Sequence, residues 1–422
     1  MNTTRQSVRR NVSALYVLQL TGYVLPLLTV PYLMQTLGAD GFGALAKAAG
    51  LIMLGVIAVD AGVNTVTITQ LAREGTKQDL ATELYWANQA LRIARIVGVS
   101  LVLLGLYALL DEGWFRWDLV AASSLMLIGG WLFPTWLFQG LEVMTLTTIC
   151  SITGRLISVL LIFVLIRSPD DVLLAAVLQG SATLLSGLFA QVALHRKLRI
   201  GPPPSARRWL ARIRRLRRSI NYLSTSEWLT AAAGNVSVVA LGFFCADAVV
   251  GVFAALEKIA RALIGLAQPF LRALLPVQIR RFAGDSNQAA RWARTWVLRL
   301  TLAGVVSGGC LAAVGFPLLQ WALGAPQALE PSWLIGVGLW VALAISAGAA
   351  GQLHCLASGA KTAYANILGL SAIFQLASVV LGAAMLGIDG VLFALWFSEV
   401  LRCISFFCHS NIRVKRSSSC AS

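Results

Sequence analysis

The chain has 422 residues, of which 58% are hydrophobic and only 12% charged, and its mean hydropathy is +0.76. Apolar runs of about eighteen residues or more recur along it, which excludes a water-soluble core of this size and predicts an all-α polytopic membrane protein. The formal charge of +16 follows membrane topology, as shown below, and does not indicate nucleic-acid binding.

Twelve apolar stretches are predicted to cross the membrane, at 12–35, 44–69, 84–110, 119–138, 144–166, 172–194, 219–244, 250–276, 294–316, 332–354, 364–386 and 388–409. Arg5, Arg9 and Arg10 precede the first without an A-x-A cleavage site, so an uncleaved helix is expected there. The second carries Lys47, Asp60 and Asn64, the third Arg92 and Arg95, and the fourth ends on Gln139 and Glu142. The fifth holds Arg155, about eleven residues in from its start and so near the bilayer midplane. After the sixth, Gly201, Pro202, Pro203 and Pro204 break any helix, and arginines run from Arg207 to Arg218. Trp209, Ile213, Leu216 and Ile220 recur there at helical spacing, which suits an amphipathic helix at headgroup level. The chain therefore divides into a six-helix lobe at 1–200, a basic cytoplasmic linker at 201–218 and a second six-helix lobe at 219–422. The eighth span places Glu257, Lys258 and Arg261 on neighbouring faces of one helix. Arg272, Arg299 and Arg402 follow in later spans.

Lys and Arg fall on alternate sides of these spans, twenty-three on the side of the N-terminus against two on the other. That asymmetry predicts that both termini are cytoplasmic. Ala39-Asp40 followed by Gly43 echoes Ala246-Asp247 followed by Gly251, which predicts two related lobes around a central cavity, the plan of alternating-access carriers. Trp86, Trp136, Trp292 and Trp296 near the inner face, with Trp114, Trp117, Trp321 and Trp333 near the outer, fit two aromatic belts. The seven cysteines form no C-x-x-C, and the three histidines are dispersed, so neither a disulfide framework nor a metal site is signalled. No phosphate-binding loop and no soluble segment of ATPase size is present, and no cofactor is expected.

A charge at mid-bilayer costs about 2.5–3.5 kcal/mol on insertion scales, so cations retained there point to an anionic cargo. Arg92, Arg95, Arg272, Arg299 and Arg402 are close enough to the cytoplasmic side to snorkel. Arg155, Lys258 and Arg261 are not, and with Lys47 they form the expected substrate-binding set for a phosphate or pyrophosphate. Asp60, Glu257 and Asn64 are the expected ion-coupling groups, although Asp60 also suits helix packing and Glu257 also suits a bridge to Arg261.

Several stretches resemble the Wzx-type O-antigen flippases, in the polysaccharide transporter branch of the multidrug/oligosaccharidyl-lipid/polysaccharide exporter superfamily. They are Pro31-Tyr32-Leu33 with Leu37 to Gly43, Asp60-Ala61-Gly62-Val63-Asn64 leading to Leu71-Ala72-Arg73, Pro134 to Glu142, and Glu257 to Ala262 through Ala273 to Pro276. The resemblance implies twelve helices in two lobes around a cationic cavity. It further implies a flippase, not an enzyme, that moves undecaprenyl-pyrophosphate-linked oligosaccharide across a bacterial inner membrane, with a polysaccharide polymerase, a chain-length regulator and membrane lipids as partners. Lys47 departs from the family pattern, which has an uncharged residue at that point. The rival expectation is a cation-coupled multidrug extruder of the same fold, which should favour acids in its cavity.

Overall fold

Lipid offers the backbone no hydrogen bonds, so every spanning segment must satisfy its own N–H and C=O groups. Helices accordingly make up all the regular structure among the described residues of the computed structural model, which are 2–74, 78–110, 113–282, 284, 286–323 and 330–419. Lys77, which entered the topology count, lies outside the described residues. So do the side chains of Arg5, Arg9, Arg10, Trp321, Arg413, Lys415 and Arg416.

In chain order the helices are α1 (Asn2–Asp60), α2 (Val63–Glu74), α3 (Gln78–Leu109), α4 (Trp117–Ser123), α5 (Leu125–Leu132), α6 (Thr135–Gly140) and α7 (Met144–Leu165). A short 3-10 turn at Pro169–Asp171 leads into α8 (Val172–Lys197), followed by α9 (Ala206–Ala233), α10 (Val236–Phe244), α11 (Asp247–Phe282) and α12 (Ser286–Leu323). Then α13 (Pro331–Ala350) runs into a π turn at Gly351–Leu356, and α14 (Lys361–Ser419) ends the chain. Both α1 and α14 are two arms joined at a glycine, Gly38 with φ 74° and Gly387 with φ 60°. An L side chain there would cost roughly 1–2 kcal/mol, so glycine sets where each long helix turns.

The protein is a multi-pass membrane protein. Eight of the helices described are long and apolar enough to cross a bilayer, or nine if Glu227–Ala233 and Val236–Phe244 form one crossing. Large apolar side chains stand outward along them, such as Val102 at 63% exposure and Leu109 at 83%, which lipid tolerates and water does not.

Contacts group the chain into two compact units, Met1–Asn235 and Val236–Ser422. In the first, α8 packs on α5 and α7, and α1 packs on α3, α4 and α7. Its core gathers Leu71, Leu84, Trp136, Phe138, Leu194 and Leu216. Trp136, assigned above to the inner aromatic belt, is instead 1% exposed inside this core. In the second unit α12 packs on α13, and α14 packs on α10 and α13, around Leu271, Val297, Ala350, Leu353 and Phe406.

Two spans of the first unit are interrupted. The second stops at Asp60 and resumes at Val63 across Gly62, whose φ is 74°. The fourth is three short helices, with Phe133 and Pro134 between α5 and α6. Proline supplies no N–H, so the helix cannot continue through it.

Candidate functional site

Each interruption leaves carbonyls without helical partners, and α3 carries the groups that answer them. Arg92 and Arg95 are three residues apart and so share one face of α3. Nη1 of Arg95 donates to the carbonyls of Ala61 at 2.7 Å and Val59 at 3.1 Å, which closes the end of the first half of the second span. Nη2 of Arg92 donates to Asp60 Oδ1 at 2.5 Å and to the Gly130 carbonyl at 2.7 Å, while its Nη1 reaches the Trp131 carbonyl at 3.2 Å. Arg92 therefore ties both interruptions together. Gln191 adds a bond to the Leu132 carbonyl at 2.5 Å and accepts from the Tyr85 hydroxyl at 2.8 Å.

The amide end of the break is answered by an acid. Glu227 on α9 accepts the Gly62 N–H at 2.8 Å and the Thr65 hydroxyl at 2.7 Å. Cations thus sit at the carbonyl ends of helices and a carboxylate at an amino end, the arrangement that helix dipoles favour.

This geometry corrects the snorkelling expected of three arginines. Arg92 is 2% exposed, and its guanidinium is turned inward. Arg95 is half-buried and turned onto the same break. Arg402 behaves alike in the second unit, where it meets Glu399 at 3.2 Å and the Gln375 amide oxygen at 3.0 Å. Water or lipid headgroups are unnecessary where carbonyls and carboxylates are within reach.

The predicted site residues fall into three groups. Asp60 is the partner of Arg92, and Asn64 is half-buried at the start of α2. Lys47 is 6% exposed; its ammonium donates to the Trp114 carbonyl at 3.2 Å and lies 5.6 Å from the Phe115 ring. On α11, Arg261 bridges to Glu257 one turn back at 2.6 Å and stands over the Trp340 ring, with half-buried Lys258 beside them. Arg155 differs from all of these. Half-buried in α7, it has no hydrogen-bond or ion-pair partner among the described residues, and its guanidinium lies against Gly22, where an added Cβ would approach Nη1 to 3.2 Å.

Two intramembrane acids escaped the sequence reading, Glu227 and Glu399. The signal was available: each lies inside a predicted span, and a carboxylate in that setting is by itself grounds for attention.

Residues 8–281 match the family described as polysaccharide biosynthesis protein. A protein of Escherichia coli K12 named for O-antigen transport is 32% identical over 282 residues, which is 65% of this chain and 66% of that one. A Shigella dysenteriae protein of the same name is 26% identical over 93% of this chain and 98% of its own length. Among solved structures, a multidrug resistance MATE family transporter of the MOP superfamily, in its inward-facing conformation, superposes with a TM-score of 0.75 over 98% of this chain and 100% of that one at 13% identity. A Vibrio cholerae MATE transporter does so at 0.51, also at 13% identity, over 99% of each chain. At that identity the likeness concerns the fold alone, whereas the sequence match covers well over half of the chain. The chain belongs to the polysaccharide biosynthesis protein family, as the motifs of its first half predict.

Proposed function

We propose that the protein is a transporter and not an enzyme, a flippase for undecaprenyl-pyrophosphate-linked oligosaccharide repeat units. It carries them from the cytoplasmic to the periplasmic leaflet of a bacterial inner membrane by alternating access, with both termini cytoplasmic, for O-antigen or related surface polysaccharide assembly. Family membership and the two relatives named for O-antigen transport support this reading. The twelve crossings belong to the same proposal, with the arms of α1 and α14 taken separately, α9 and α10 as one crossing, and charge-bearing α11 as another.

The observation that carries the proposal is Arg155. Arg92, Arg95, Arg261 and Arg402 each meet carboxylates, carbonyls or an amide oxygen of the protein itself, so their retention has a structural reason. Arg155 has none among the described residues, yet an insertion cost of about 2.5–3.5 kcal/mol attends it. A guanidinium held ready for a bidentate anion suits a diphosphate headgroup. Lys258 and Arg261, with Lys47, are the further cations proposed to meet that headgroup, while Asp60, Glu257 and Asn64 are the proposed ion-coupling groups. A multidrug extruder of the same fold would share the MATE likeness, but a cation with no partner among the described residues is the wrong sign for cationic drugs. A polysaccharide polymerase and a chain-length regulator are the proposed partners of the pathway.

The test is to replace Arg155 by Ala in a strain whose surface glycan depends on this protein. Glycan display should fall to a small fraction at equal membrane levels of the protein. Full display at equal levels would remove Arg155 from the mechanism and leave the proposal without its main support.

A further inference from the structure

The first half of α9 carries seven arginines between Arg207 and Arg218 and no acid, the next being Glu227. A helix held to the membrane only by lipid would offer its apolar side to the bilayer. Here that side is committed to the protein. Leu216 and Ile220 are fully buried in the core of the first unit, and Trp209 and Ile213 pack on the same cluster. Arg212 crosses to Glu83 at 2.8 Å. The approach to the helix is tied down as well: the Trp86 indole N–H donates to the Gly201 carbonyl at 3.0 Å, and the Gln78 amide donates to the Arg199 carbonyl at 2.9 Å. What remains is a fixed surface on which Arg207, Arg208, Arg214, Arg215, Arg217 and Arg218 are all exposed.

We propose that this surface binds anionic, phosphate-bearing lipid headgroups, and that α9 transmits their binding to the break in the second span. Guanidinium forks match phosphate oxygens in pairs, and a helix already docked has little ordering left to lose on binding. The face lies where the spans end, beside the belt residue Trp86, and Leu210 is 49% exposed among the arginines, which gives the surface interfacial rather than aqueous character. Transmission follows from continuity. α9 is unbroken from Ala206 to Ala233, and Glu227 lies about 14 Å along the axis from Arg218 at 1.5 Å rise per residue. Its carboxylate holds the Gly62 N–H and the Thr65 hydroxyl, so an α9 fixed at one end steadies the break at the other.

The experiment uses the full chain purified in neutral detergent and measures thermal unfolding with added phosphatidylglycerol, phosphatidylcholine or undecaprenyl pyrophosphate. At least one of the two anionic lipids, phosphatidylglycerol and undecaprenyl pyrophosphate, should raise the midpoint by about 3 °C or more, and zwitterionic phosphatidylcholine should not. Replacing the six exposed arginines by Gln should abolish the shift, and replacing them by Lys should retain at least part of it. Should the Gln protein fail to fold, the wild-type shift must instead collapse when NaCl is raised, because an exposed charge contact is screened by salt. The undecaprenyl pyrophosphate arm separates the sources: a shift with it alone that the Gln protein loses assigns the face to the cargo headgroup, and a Gln-sensitive shift with phosphatidylglycerol assigns it to bulk anionic lipid. The lipid that shifts the midpoint should also slow amide exchange at residues 62–66 several-fold, and Glu227→Ala should lose that slowing while keeping the shift. The absence of a Gln-sensitive shift beyond that of phosphatidylcholine with either anionic lipid, or wild-type exchange indifferent to those lipids, would overturn the proposal.

Discussion

Replacing Asp60 by Ala removes the only carboxylate that meets Arg92 among the described residues, and the consequence can be worked from the geometry. Arg92 is 2% exposed and makes three bonds, to Asp60 and to the carbonyls of Gly130 and Trp131. Breaking a buried ion pair from one side typically costs about 3–5 kcal/mol. The Asp60 side chain is 33% exposed, so water can replace part of the lost contact, and two carbonyls still hold the guanidinium. We therefore expect about 2–3 kcal/mol for Asp60→Ala and about 1 kcal/mol for Asp60→Asn, which keeps an oxygen acceptor. Adding Arg92→Met to Asp60→Ala should cost less than the two single changes summed, by about 1–2 kcal/mol, because the residues act as a pair. Unfolding in mixed micelles of increasing SDS content, followed by tryptophan fluorescence, measures all four proteins. Were Asp60→Ala to change stability by less than about 0.5 kcal/mol, or the two changes to add, the ion pair would not be what holds the second span to Arg92.

Gly62→Ala places a side chain at φ 74° and should destabilise by about 1–2 kcal/mol in the same micelle titration, whereas Gly98→Ala, in a helical position with open space around it, should be neutral or slightly stabilising. Arg402→Met leaves the nearly buried Glu399 carboxylate without its cation, and a loss of roughly 3 kcal/mol or more is expected, partly recovered by Glu399→Gln in the same chain. Lys258→Gln and Arg261→Gln should each lower surface glycan display, and the second should also lower stability by about 1–3 kcal/mol because it strands Glu257. Unchanged display at normal protein levels would exclude both residues from cargo handling.

Hydropathy was enough to read the membrane class and most helix positions, since a run of apolar residues has little choice of structure in lipid. The predicted fifth span, 144–166, differs by one residue from Met144–Leu165, because nothing but lipid and helix packing determines it. The fourth span was read as continuous, although Pro134 stood within it to mark the interruption. Depth along a helix was also legible, but depth does not say which way a side chain turns. Arg92 and Arg95 lie within reach of the inner surface by count, yet their partners are contributed by spans more than thirty residues away in sequence. The same limit hid the role of Glu227, whose bonds to Gly62 and Thr65 span more than 160 residues. The Glu257 and Arg261 bridge was readable because both ends lie on one helix, one turn apart.

The most direct test of the account concerns Arg155. Purified protein in liposomes should flip an undecaprenyl-pyrophosphate-linked glycan, and Arg155→Gln should slow flipping about tenfold or more, the loss of one charge-assisted contact to the diphosphate. The same protein should be as stable as the wild type or more so, since no partner of Arg155 among the described residues is stranded and an intramembrane charge is gone. Wild-type flipping by Arg155→Gln, or a flipping defect matched by an equal loss of stability, would contradict the claim that this arginine is kept for the cargo.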